Sequence, residues 1–402
     1  MPAPVPSEIR CQTRRMRDYG GLYVALVLLS FHWALVIYIN SSFLEQFFSH
    51  YEVSALYTAS AVCSIALFLA ISVILRQTGN FRLTVWLTIL EFFTLIALPL
   101  ADSRVLVGVL FIIHQTIVPM ILFSIDIFME TLTGNCERST GSQRGLFLTI
   151  MSLTIALSAL LSGYLIGDQE PQFVLVYMTS AFLLIPFLAM VVRSFRNYAD
   201  GTYEDHALAH GVTKFLKNPD IKNVFYAHFT LQLFFAWMVV YTPIYLSTIM
   251  GFGWERIGQI LFVGLMAYVI LEYAIGIIAD RWLGEKEMMA VGFLVIAVAT
   301  SWFTFLTPEN IGLWMIAMFL TRVGASLIET TSESYFFKHT NGEDTALISF
   351  FRITRPLSYI IGAALGSITL FVFNDQMQFL FLILACLMIP GFFFTMRLHD
   401  TK

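Results

Sequence analysis

Apolar residues run through the chain in a dozen long stretches, each close to the ~20 residues an α-helix needs to cross the hydrocarbon core of a bilayer. Polar residues cluster between them. The pattern predicts helical spans at 20–43, 54–75, 82–101, 104–131, 145–167, 172–193, 222–248, 257–279, 287–306, 311–336, 346–372 and 377–397. The longest polar interruption falls in the middle, so the expected layout is a tail (1–19), a six-helix bundle (20–193), a central loop (194–221) and a second six-helix bundle (222–398). An even number of crossings puts both termini on the same side.

Composition agrees with this reading. With 58% hydrophobic residues, only 12% charged residues and a mean hydropathy of +0.76, the chain lacks the polar surface to cover a soluble globule, which excludes a soluble enzyme. The net charge of −4 says little, whereas the distribution of the 23 Lys and Arg says much. Alternate loops hold nearly all of them: Arg104 and Arg256 lie on one side, Arg322, Arg352 and Arg355 fall inside apolar runs, and the rest share the other side. The positive-inside rule makes that side cytoplasmic, and with it both ends of a protein of the cell (inner) membrane. The four cysteines, Cys11, Cys63, Cys136 and Cys386, form no CxxC or Cys/His pair. In the central loop His206 and His210 are one helical turn apart, but no third ligand stands at a telling distance, so neither a metal nor a cofactor is expected. Nothing resembles a nucleic-acid footprint.

Three local matches, each offset by about half the chain, point to an internal repeat. Arg76-Gln-Thr-Gly79 after span 2 answers Arg281-Trp-Leu-Gly284 after span 8. Asp126 and Glu130 end span 4 as Glu329 and Glu333 end span 10. Gly163 and Gly167 in span 5 answer Gly362 and Gly366 in span 11. Small-xxx-small spacing of this kind lets helix backbones approach closely.

The loop Gly276-Ile-Ile-Ala-Asp280-Arg281-Trp-Leu-Gly284-Glu-Lys286 resembles the motif that the major facilitator superfamily repeats after its second and eighth helices. Together with the Pro243–Gly258 stretch and the six-plus-six layout, the resemblance covers the whole chain. It implies two pseudo-symmetric bundles, a secondary transporter working by alternating access, and a loop in which Asp280 and Arg281 gate the cytoplasmic mouth while Gly284 makes a tight turn. The first-half copy departs from the pattern, with Ile71 in place of the glycine and Leu75 in place of the acid.

Ionisable residues inside apolar runs are costly and mark function. Arg322, Glu329 and Glu333 share one face of span 10, and Arg352, Arg355 and Tyr359 share one of span 11, which predicts an ion pair between Glu329 or Glu333 and Arg352 or Arg355. The resemblance implies a cavity lined by helices 1, 4, 7 and 10. His32, His114, Gln115, Gln232, Trp237 and Arg322 become candidates for solute contact, Arg322 suiting an anionic or carbonyl group. Glu272 and Glu91 have no evident sequence partner, and Glu272, on a helix that borders the cavity in the family, is the candidate proton carrier. Asp126, Glu130, Glu329, Glu333, Arg352 and Arg355 complete the gating and coupling set. The expected partners are a small solute, protons and lipid, with the monomer as the working unit. A membrane-embedded lipid-modifying transferase and a transporter-derived sensor are the competing readings.

Overall fold

The computed structural model describes residues 7–133, 140–168, 171–198, 200, 215, 217–281, 284–338 and 351–399, with side chains except those of 7–19, 72, 130–133, 140–148, 273, 277, 279–281 and 337–338. Twelve helices are long and apolar enough to span a membrane. They are α1 (Ser7–Ile37), α2 (His50–Thr78), α3 (Asn80–Ala97), α4 (Arg104–Thr133), α5 (Thr140–Ile166), α6 (Phe173–Phe195), α7 (Pro219–Ile244), α8 (Trp254–Arg281), α9 (Glu285–Trp302), α10 (Ile311–Lys338), α11 (Thr354–Val372) and α12 (Gln378–Met396). No strand occurs among the described residues.

Local chemistry sets several of these boundaries. Ser49 and Glu52 form a reciprocal capping box at the start of α2, and Asn218 caps α7 with Pro219 in its first turn. Buried hydroxyls such as Thr84, Thr88 and Ser124 donate to the carbonyl one turn back, so they satisfy themselves within their own helix. The first span is interrupted: α1 ends at Ile37, and a separate turn, Asn40–Leu44, follows.

The helices pack in two matching sets. In the first half α1 meets α5 and α6, while α4 meets α2 and α3; in the second half α7 meets α11 and α12, while α10 meets α8 and α9. Each contact recurs six helices later, which is the two-fold repeat expressed in space. The halves join through α2 against α11 and α5 against α8. Large apolar side chains such as Trp86, Phe93, Val298 and Phe371 project outward from the bundle, as lipid-facing residues do.

The glycine pairs divide by role. A methyl group on Gly163 would sit 2.5 Å from the carbonyl oxygen of Trp254, so α5 and α8 touch backbone to backbone at Gly163 and Gly258. Gly366 makes room for the Tyr241 ring. Gly167 instead closes α5 at φ +73, a left-handed conformation glycine adopts freely.

Candidate functional site

The two halves meet firmly at the end carrying the short loops. Tyr51 Oη donates to Asp375 Oδ1 at 2.8 Å, Ser54 Oγ and Tyr241 Oη share a bond of 2.9 Å, and the Glu255 amide donates to Asp168 Oδ1 at 3.0 Å. Asp168 thereby accepts at the N-terminus of α8 from the opposite half. Tyr57 and Tyr359 stack with centroids 5.7 Å apart and planes 6° apart. Ser54, Tyr57, Trp237, Tyr241 and Tyr359 leave a gap of only about 10 Å³, about the space for one water.

Beneath this closure the second half presents a charged cluster. Arg322 on α10 is 2% exposed, lies 5.3 Å from the centre of the Phe234 ring, and keeps its Nη1 without a hydrogen-bond partner. The Trp237 indole nitrogen and Tyr268 hydroxyl are likewise buried without partners. Glu329 feels the charges of Glu272, Glu333, Arg355 and Arg322, and Tyr268 lies in the field of Glu329, Arg322 and Glu272. Glu272 accepts from Ser152 Oγ of α5 at 3.2 and 3.4 Å, a bond across the joint between the halves. Gln232 is buried and contacts His228 Nε2 at 3.2 Å, while His228 reaches Ser332 of α10. Donors aimed at nothing, in a setting sealed at one end, are what a site built for an acceptor-bearing solute requires.

Several sequence expectations need correction. Among the described residues no ion pair joins Glu329 or Glu333 to Arg352 or Arg355, although Glu329 feels the Arg355 charge. Arg352 instead approaches Asp126 of the first half at 3.6 Å, and Arg355 lies over the Trp33 ring at 5.0 Å. The reason is axial: α11 begins at Thr354, so Arg352 precedes the helix and Arg355 stands in its first turn, both exposed. Arg352 falls outside the candidate span 354–372, and Arg355 stands at its very start. The segment 346–350, predicted as part of that span, lies outside the described residues.

His32 and His114 are not cavity residues. Both are fully buried inside the first half, turned toward Glu91 of α3, whose Oε1 lies 2.5 Å from His114 Nδ1 and 3.6 Å from His32 Nε2. Glu91, without an evident partner in the sequence, is bonded by His114 and faces His32. Gln115 is half-buried. Gly284 adopts φ −66 and ψ 159 as the N-cap of α9, an extended conformation open to any residue, so no tight turn depends on it. The side chains of Asp280, Arg281 and Glu130 lie outside the described residues.

The first-half loop compensates for its missing acid from elsewhere in the chain. Gly79 has φ +74, and Asp200, beyond α6, accepts the Asn80 amide at 2.7 Å at the start of α3. A methyl group on Gly79 would lie 2.4 Å from the Asp200 carboxylate. Sequence spacing offered no sign of this substitution. Nor did it mark Tyr57, Tyr268 or Ser152, ordinary residues whose roles come from cross-helix neighbours.

Twelve membrane-crossing helices in two matching six-helix bundles, with a charged cluster at their joint, define a polytopic membrane protein of transporter architecture. The family model of the Major Facilitator Superfamily matches residues 22–332 and 256–402, and the chain belongs to that superfamily. Membership of that superfamily indicates a transporter. No curated protein sequence matches it. Among solved structures, a mutant of the nucleoside transporter NupG is similar at a TM-score of 0.74 and 13% identity, covering 94% of this chain and 99% of that one. The unmutated NupG structure is similar at 0.72 and 12%, with 94% and 98% covered. Identity this low speaks to the fold alone.

Proposed function

We propose that the protein is a secondary transporter that carries a small polar solute by alternating access, binding it between the bundles beneath the Tyr57–Tyr359 stack. The observation that carries this reading is the set of buried, unpartnered donors, Arg322 Nη1, Trp237 Nε1 and Tyr268 Oη, below a closed end. A solute with carbonyl or carboxylate oxygens would satisfy them. An aromatic ring in the solute would find Phe234 and Trp237 beside them. Nucleosides, the cargo named for NupG, have both features and head the list to be tried.

The basic linker end is the cytoplasmic side, so the closed end faces outward and the arrangement is outward-closed. The termini are cytoplasmic, the membrane is the cell membrane, and the monomer is the working unit. Glu272 and Glu329, carboxylates adjoining both Arg322 and the α5–α8 joint, are the coupling groups if protons drive the cycle. Asp126 and Arg352 form a contact between halves at the cytoplasmic end that opens and reforms at small cost, their side chains being 39% and 41% exposed.

Purified protein in sealed vesicles should exchange labelled nucleosides, or another member of a panel of sugars, amino acids and organic acids, at a rate that Arg322→Lys abolishes. Zero flux across the whole panel, with folded and correctly inserted protein, would reject transport. An imposed pH gradient should drive uptake in the wild type, and Glu272→Gln should remove that drive while leaving exchange. An unchanged response would take Glu272 out of the mechanism.

A further inference from the structure

The cluster around Glu91 is remote from the unpartnered donors of the second half, and its hydrogen bonds can be assigned one by one. Tyr177 Oη donates to Asn40 Oδ1 at 2.6 Å, which turns the Asn40 amide nitrogen toward His114 Nε2 at 3.4 Å. His114 Nε2 is therefore the acceptor, and its Nδ1 donates to Glu91 Oε1. On the other side, the Ser180 hydroxyl donates to the His32 backbone oxygen at 2.7 Å. His32 Nδ1 faces the Ser180 carbonyl oxygen at 3.1 Å and its hydroxyl oxygen at 3.0 Å. A carbonyl oxygen only accepts, so His32 Nδ1 carries a hydrogen.

That assignment leaves a gap. With Nδ1 protonated, a neutral His32 has a bare lone pair at Nε2, and this atom faces Glu91 Oε1 at 3.6 Å. Two lone-pair-bearing atoms are thus turned toward each other in a fully buried setting. Glu91 Oε2 and His32 Nε2 are both buried without any hydrogen-bond partner. As an anion, Glu91 would hold an uncompensated charge with a single donor, an expensive arrangement in a protein interior. One additional proton removes the lone-pair clash and the net charge together.

We propose that Glu91 and His32 form a proton-binding site inside the first bundle, separate from the Glu272 and Glu329 carboxylates, with the structure describing its occupied form. The ionisable groups around it are His32 on α1, His114 on α4 and Tyr177 on α6, with Tyr57 of α2 adjoining Tyr177. Its wiring runs through Asn40 to the Asn40–Leu44 turn, which packs on α7 of the opposite half. Proton release at Glu91 therefore loosens an element that touches the joint between the bundles.

The test needs no solute. A proton held by the folded protein and released on unfolding makes stability fall as pH rises. The melting temperature of the full-length protein in lipid nanodiscs should fall as pH rises above about 4.3, where an unfolded glutamate gives up its proton, and level off once the folded site has released its own. Glu91→Gln, which imitates the protonated acid, should flatten that drop while keeping the wild-type melting temperature at the acid end. An undiminished slope, or an equal loss of stability at every pH, would overturn the proposal. Infrared spectra read the same site where Glu91→Gln does not fold. With carbon-labelled glutamate in a Glu272→Gln/Glu329→Gln background, a carboxylic-acid carbonyl absorption should vanish on alkalinisation, and should be missing when Glu91→Asp removes the labelled group. Failure to find such an absorption would overturn it too.

Discussion

The two bundles share one arrangement of helices but differ in where their buried charged residues find partners. In the first, Tyr177, Asn40, His114, Glu91, His32 and Ser180 answer one another across α1, α3, α4 and α6, closing a network away from the solute path. In the second, Arg322, Trp237 and Tyr268 keep donors unused at the joint with the first bundle. The first cluster is bonded across four helices and lacks partners at Glu91 Oε2 and His32 Nε2, where a proton would fit, whereas the second offers bare donors that a ligand could meet. In the proposed transport cycle, duplicated architecture supplies a scaffold in one copy and a recognition surface in the other.

The largest expected effect comes from breaking the closed network. Glu91→Ala leaves the His114 Nδ1 donor unsatisfied beside a cavity facing His32 and should cost about 3–5 kcal/mol, read as a large fall in melting temperature. Next comes the contact that lets the halves touch. Gly163→Val drives a side chain into the Trp254 carbonyl and should cost about 1–3 kcal/mol, with solute exchange lost as well. Arg322→Lys sharpens the contrast by acting on function instead of stability: exchange should fall at least about tenfold, about 1.4 kcal/mol, with little change in melting temperature. If instead it destabilised the fold as much as Glu91→Ala, the division of labour between the bundles would be wrong. The smallest effect is expected at the linker end, where Asp126→Asn should change stability by less than about 1 kcal/mol. Its signature would be a shift in distance between spin labels on α4 and α11.

Apolar runs alone specify the crossings, because every backbone group in a bilayer must be satisfied within its own helix. Span ends were legible to within several residues, except where Tyr38 and Ile39 interrupt the first span and where α11 starts later than its apolar run. Partners were another matter. Glu91 and His114 are 23 residues apart on different helices, and helical periodicity relates residues on one helix only. The stripe of Arg322, Glu329 and Glu333 was visible, yet the charges facing it depend on axial offsets between helices, which hydropathy leaves free. Asp200 carries the same lesson: an acid that the local motif lacks at Leu75 reaches the start of α3 from beyond α6.

That carboxylate also sets the geometry of the tether between the bundles. By holding the amide of Asn80, Asp200 anchors the chain at α3 several residues after α6 has ended, so the leash to the Asn218 cap of α7 is counted from Asp200 and not from the end of α6. At most about 3.6 Å of reach per residue is gained beyond that mooring, and none before it. Extra residues spliced after Asp200 would lengthen the leash, whereas a deletion between Phe195 and Asp200 would pull the mooring itself.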